Sequence, residues 1–144
     1  MTSPAQTLSA QDAIIYLMVT ASAADGEIAD AELKAIGRVV QSFPVFSPAD
    51  AETLVQTAGA CGDLMSSEGG LQKVLDVAKA SIPSHLTETA YAAVVEVTAA
   101  DEGLTMSELR ILDLVRQALE ISDEGASAIE RATRARHMTI DTVE

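Results

Sequence analysis

The chain has 144 residues, a net charge of −13 and an apolar fraction of 48%, with two Phe, two Tyr and no Trp. This length suits one domain, and the composition predicts a core of small and aliphatic side chains in closely packed helices. The nine basic residues form no long run. They argue against nucleic-acid binding, because that affinity depends on clustered Lys and Arg.

Seven helices and no strand are predicted from helical periodicity and from capping signals. The expected spans, in chain order, are residues 9–24, 30–42, 47–60, 71–81, 84–100, 106–120 and 123–136. Ser9 with Asp12 resembles a capping box at the first helix, and Ser47 with Pro48 opens the third. All connections are short, which is typical of an all-α bundle.

The predicted domain comprises residues 9–137, between a flexible N-terminus, 1–8, and a frayed C-terminus, 138–144. The N-terminus lacks the basic and apolar stretches of a signal peptide. The longest uncharged apolar run, 13–24, is too short to span a bilayer. We therefore expect a cytoplasmic protein without direct membrane insertion.

Two segments of the chain resemble each other. Residues 23–36 align without gaps on residues 99–112, with five of fourteen positions identical. In each segment an apolar helix ends at an Asp, a Gly follows within two residues and an amphipathic helix begins. The helix that begins in the second segment has a capping box, Thr105 with Glu108. The helix that begins in the first segment has Ala29 at the capping position, so Glu32 is not fully explained as half of a capping box.

Each of these corners supplies an Asp and a Glu seven residues apart, Asp25 with Glu32 and Asp101 with Glu108. If the two halves pack about a pseudo-twofold axis, the four carboxylates converge and must be protonated or hold a cation. Ca²⁺ and Mg²⁺ are the cations that prefer oxygen ligands of this kind. The alternative is that all four carboxylates only stabilise helix N-termini through the helix dipole and backbone N–H groups.

Other residues give weaker signals. The stretch 25–32 matches the second half of an EF-hand loop, but the first half would need oxygen ligands at Ala21 and Ala23. Cys61 has no basic neighbour in the sequence that would activate its thiol. His85 and His137 lie apart near helix ends and are expected to be solvated or capping residues. No catalytic set is recognisable, and we expect a protein that is not an enzyme.

The doubled corner, A-A-D-G-E-I-x-x-x-E-L and A-A-D-E-G-L-x-x-x-E-L, resembles the TerB-like family of tellurite-resistance proteins. The resemblance extends from about Gln11 to Ser122. It implies an all-α fold of seven helices in two pseudo-symmetric halves, with acidic corners that correspond to Asp25, Glu32, Asp101 and Glu108. The second corner departs from the pattern, because its Gly follows the Asp by two residues.

The resemblance also implies a metal-sensing or scaffolding role in stress responses near the inner membrane. The expected function is therefore a non-enzymatic domain with a divalent-cation site at its corners and a protein partner, membrane-associated partners included. A protein-interaction scaffold whose corner carboxylates are only helix caps is the alternative, and exposed apolar positions on the seventh helix would favour it. An enzyme is the third reading, favoured by a pocket that pairs His85 with a perturbed carboxylate.

Overall fold

A computed structural model describes residues 8–23, 30–46, 51–99 and 106–141 of the chain. These residues form seven α-helices and no strand, as the sequence predicts. The helices are α1 (Ala10–Ser22), α2 (Asp30–Ser42), α3 (Ala51–Met65), α4 (Gly70–Ser81), α5 (Thr87–Ala99), α6 (Met106–Ala118) and α7 (Asp123–Arg136). All of them fall within the predicted domain, 9–137.

The helix boundaries follow from local signals. Ser9 caps α1 by accepting a hydrogen bond from the backbone N–H of Asp12 at 3.1 Å, so this predicted N-terminus is confirmed. α2 begins and ends where predicted, and α7 matches its predicted span. The predicted third-helix opening at Ser47 lies outside the described residues, as do residues 1–7 of the predicted N-terminus and 142–144 of the predicted C-terminus.

Three predicted boundaries were wrong. α3 continues beyond Ala60 to Met65, because an interior glycine such as Gly62 costs a helix only about 1 kcal/mol. α6 ends at Ala118 rather than Glu120, since Glu120 adopts a positive φ of 56°. Residues 84–86 form a 3-10 turn before α5 instead of its first turn.

The two halves share a repeated helix pair. α1 and α5 have 13 residues each, and so do α2 and α6. Met106, the first residue of α6, lies 76 residues after Asp30, the first residue of α2, and the same shift brings α1 within one residue of α5. The repeated corner seen in the sequence therefore belongs to a repeated pair of helices.

α1 and α5 lie at the centre of the bundle. α1 packs against all five helices from α2 to α6, and every residue from Ala13 to Ser22 is buried. α5 packs against α1, α2, α6 and α7. Among the described residues no helix combines the length and hydrophobicity required to cross a bilayer.

The turn from α3 to α4 depends on two glycines. Gly69 has a φ of 67°, a left-handed conformation that glycine adopts without strain. A Cβ on Gly70 would lie 2.3 Å from the carbonyl oxygen of Met65 and 2.6 Å from that of Leu64. Both contacts are to backbone, so neither can be relieved by a side-chain rotation.

We expect Gly70→Ala to lower the free energy of unfolding by about 3 kcal/mol, the upper end of the usual cost of overpacking. The matched control is Gly59→Ala in α3, where a new Cβ meets nothing within 4 Å. It should stabilise the protein by about 0.5–1 kcal/mol, because alanine is the better helix former. Urea denaturation of both variants measures these changes. Equal effects would contradict the proposed steric cause.

Candidate functional site

Glu32 and Glu108 occupy equivalent positions, each the third residue of its helix, α2 and α6. Glu108 is 2% exposed, whereas Glu32 is half-buried. The helix N-terminus favours a carboxylate here through its dipole and backbone N–H groups. The predicted partners Asp25 and Asp101 lie outside the described residues, so the four-carboxylate set stays a prediction.

No three His, Cys, Asp or Glu side chains come together as a metal site within 8–23, 30–46, 51–99 and 106–141. The sequence analysis did not identify one buried oxygen close in sequence to the first corner. The hydroxyl of Ser22, near the end of α1, is buried and has no hydrogen-bond partner in the described part of the chain. Thr98, its repeat equivalent on α5, instead donates to the carbonyl oxygen of Val95 at 2.9 Å. No local sequence signal separates these two hydroxyls.

An ionic cluster joins α5 to the end of α7. Glu96 accepts hydrogen bonds from Arg136 and from the Nε2 atom of His137. Burial by itself raises the pKa of Glu96, but these two hydrogen bonds and the nearby positive charges outweigh it and lower the pKa below the usual 4.5. His137 is the C-cap of α7, as expected from the sequence, and its exposed side chain is also a partner of Glu96.

The cluster predicts a pH-dependent contribution to stability. A lowered folded-state pKa gives stabilisation that is present above the unfolded value of about 4.5 and is lost as the pH falls through the folded value. We expect Glu96→Gln to cost about 1 kcal/mol at pH 7, because the Arg136 and His137 side chains are in contact with solvent, and less near pH 3. Urea denaturation at both pH values tests this. The exposed Glu68, changed to Gln, is the control, and a cost for Glu96→Gln that is independent of pH would contradict the prediction.

A second surface feature is a cleft of about 410 Å³ between α5, α6 and α7. Tyr91 lies on its floor and donates a hydrogen bond from its hydroxyl to Glu130 at 2.7 Å. The apolar wall includes Leu109 and Met138, which are both exposed, and Leu112. This cleft therefore offers apolar surface to a binding partner.

The exposed large apolar side chains do not lie on α7 itself, where Ile129 packs against the core. Met106 and Leu109 are on the first two turns of α6, and Met138 and Ile140 follow the end of α7. Met106 is 81% exposed and Ile140 fully so. An interaction surface is thus available beside α7 rather than along it.

Cys61 lies in the core, whereas His85 lies on the surface. Cys61 is fully buried, and burial raises the pKa of its thiol to about 11 although a hydrogen bond with Thr20 lowers it. A thiol with this pKa is protonated at neutral pH and is a weak nucleophile. His85 is exposed in a shallow cleft with Glu88 and Glu120, and within the described ranges it forms no hydrogen bond with either carboxylate.

These features define an all-helical bundle built on a duplicated helix pair. The second helix of each pair, α2 or α6, has a carboxylate in its first turn. The family model described as tellurite resistance protein TerB matches residues 11–133. The chain therefore belongs to the TerB family, as its doubled corner indicates. No curated protein and no solved structure was found to match it.

Proposed function

We propose that this TerB-family chain is a non-enzymatic, cytoplasmic stress-response domain that binds a divalent cation at its two acidic corners. The observation that carries the proposal is the burial of Glu108 in the first turn of α6. A buried carboxylate needs compensation, and a cation at the corner would add to the contacts that Glu108 already makes within the chain. Glu32 repeats the same position on α2, so both corners contribute a carboxylate at the same point of their helices.

The chemistry of the corners fits a hard cation. Asp25 and Asp101 would add two further carboxylates, and the buried Ser22 hydroxyl is a neutral oxygen close in sequence to the first corner. Ca²⁺ and Mg²⁺ bind carboxylate and hydroxyl oxygens, and Mg²⁺ keeps several waters as well. Either ion would reduce the repulsion among the four carboxylates.

The experiment is thermal unfolding of the full chain in EDTA and in millimolar Ca²⁺ or Mg²⁺. A ligand that binds only the native state stabilises it by about 2.7 kcal/mol at a hundredfold excess over Kd. We expect either cation to raise the Tm and the double variant Asp25→Asn, Asp101→Asn to abolish the response. The metal-free double variant should be slightly more stable than the unmodified chain, because like-charge repulsion is relieved.

The control pair is Asp76→Asn with Glu68→Gln, which removes two exposed carboxylates far from the corners in sequence and should keep the cation response. A Tm that changes with neither cation would overturn the proposed cation site. In that case we expect Glu32→Gln and Glu108→Gln to cost up to about 1 kcal/mol each, through lost helix-terminus interactions alone.

The second candidate function is a protein-interaction scaffold. It is favoured by the exposed Leu109 and Met138, which line the α5–α6–α7 cleft, and by the exposed Met106 at the start of α6 and Ile140 after α7. Methionine-rich surfaces adapt to varied partners because the side chain is flexible and polarisable. Replacing Met138 and Ile140 with Gln removes apolar surface without adding charge, and should abolish partner binding while leaving any cation response unchanged, which separates the two functions.

A further inference from the structure

The helix contacts of the two halves are reciprocal. α1 packs against α5, and each of these helices also packs against the second helix of the other pair, α6 or α2. Within each pair the two helices contact each other. A twofold relation requires this reciprocity, since a contact of one half must recur with the roles exchanged.

The third helix of each half obeys the same relation. α3 runs parallel to α1, because Thr57 contacts Asp12 and Cys61, one turn later, contacts Tyr16 and Thr20. α7 runs parallel to α5, as the pairs Tyr91–Glu130 and Glu96–Arg136 show. α7 is therefore the counterpart of α3.

α4 breaks the symmetry. It packs against α1, α3 and α6. Its counterpart in the second half would follow α7, but the described residues after α7, 137–141, contain no helix. By the same twofold relation, a counterpart of α4 would pack against α5, α7 and α2.

A cleft of about 470 Å³ lies where this helix would pack. Its lining side chains come from α2 and the residue after it, from α5, and from the end of α7 with the residue after it. They are Ala35, Arg38, Val39, Gln41, Ser42, Phe43, Glu96, Arg136 and His137. The duplication itself thus defines a helix position between α2, α5 and α7, and no helix of the described residues fills it.

The cleft combines an apolar floor with a basic rim. Ala35 and Val39 are buried and Phe43 is half-buried. Arg136 and His137 are already held by Glu96. Arg38 is exposed, and no carboxylate of the described chain pairs with it. In a chain of net charge −13, this arginine favours an acidic group in whatever occupies the cleft.

We propose that this cleft receives an amphipathic α-helix from a partner protein, which packs where the counterpart of α4 would lie and pairs a carboxylate with Arg38. The corresponding stripe on α4 consists of Gly70, Val74, Leu75 and Ala78. The partner helix should therefore carry small and aliphatic residues at similar helical spacing, with Asp or Glu beside them. This site is separate from the acidic corners and does not depend on cation binding.

The test uses a displayed library of 16-residue helical peptides selected against the full chain. We expect enriched peptides to combine a small or aliphatic stripe with an adjacent Asp or Glu. Their binding, measured by fluorescence anisotropy, should weaken about tenfold or more on Arg38→Glu and on Arg38→Gln. The control Lys79→Glu changes an exposed basic residue of α4, away from the cleft lining, and should change affinity by less than about threefold.

NMR chemical shifts locate the bound peptide. The proposal expects the largest changes at Ala35–Phe43, around Glu96 and at the end of α7. Selected peptides that bind the Arg38 variants unchanged, shifts confined to the α5–α6–α7 cleft, or a selection that enriches no peptide would each overturn it. A dimer found by sedimentation, with NMR showing that its interface covers these residues, would also overturn the proposal, because the occupant would then be a second copy.

Discussion

Replacing Leu17 with alanine is expected to lower the free energy of unfolding by about 3–4 kcal/mol. Leu17 is 0% exposed and lies at the middle of α1, the helix that packs against five others. A leucine-to-alanine change in such a site loses the transfer free energy of the side chain and leaves a cavity. The cost should lie well above the low end of the usual range of about 2–5 kcal/mol, because neighbours on every side of α1 hinder its collapse.

Urea denaturation monitored by circular dichroism measures this loss, since the midpoint should fall while the slope stays constant. Val55→Ala on α3 is the control, because Val55 is 64% exposed and its truncation should change stability by no more than about 0.5 kcal/mol. Similar costs for the two variants would show that α1 does not form the centre of the core.

The sequence predicts the helices well because most of their ends carry local signals. Ser9 accepts the predicted capping hydrogen bond, and α2 and α6 begin where the repeated corners require. The errors fall where local and tertiary preferences differ. α3 passes through Gly62, since the half-buried Leu64 and Met65 gain packing against the core that outweighs the glycine cost.

The surroundings of α1 could not be predicted from its sequence. All its residues from Ala13 to Ser22 are buried, including Thr20 and Ser22, so no polar face distinguishes one neighbour from another. The helix position between α2, α5 and α7 could not be predicted from the sequence either. It becomes visible only when the contacts of α4 are compared with those of the second half.

The candidate site was likewise predictable from the sequence only in part. The sequence places Glu32 and Glu108 in first turns, because helix starts are local, and the structure confirms those positions. It does not predict that Glu108 is buried more deeply than Glu32, which depends on helices distant in sequence. The Glu96 cluster was missed for the same reason, since about 40 residues separate Glu96 from Arg136 and His137.

Replacing Tyr91 with alanine is expected to cost about 3–5 kcal/mol, as for other buried aromatic residues. Tyr91 is only 2% exposed and is the largest fully buried side chain of the described core. Its side chain lines the α5–α6–α7 cleft, and its hydroxyl donates a hydrogen bond to Glu130 of α7 at 2.7 Å. Tyr91→Phe keeps the ring and should cost only about 1 kcal/mol, because the exposed Glu130 regains water as a partner.

The pH dependence of the free energy of unfolding in alkaline solution distinguishes the contribution of the Tyr91 ring from that of its hydroxyl. Burial, followed by the hydrogen bond to Glu130, raises the pKa of Tyr91 well above its ordinary value of 10.0. A raised folded-state pKa gives stability that is fully present below the unfolded value and is lost as the pH rises through the folded one. Above about pH 10 the unmodified chain should therefore lose stability more steeply than Tyr91→Phe. Parallel pH profiles for the two proteins would show that the hydroxyl is not buried, and the large alanine cost would then have to come from the ring alone.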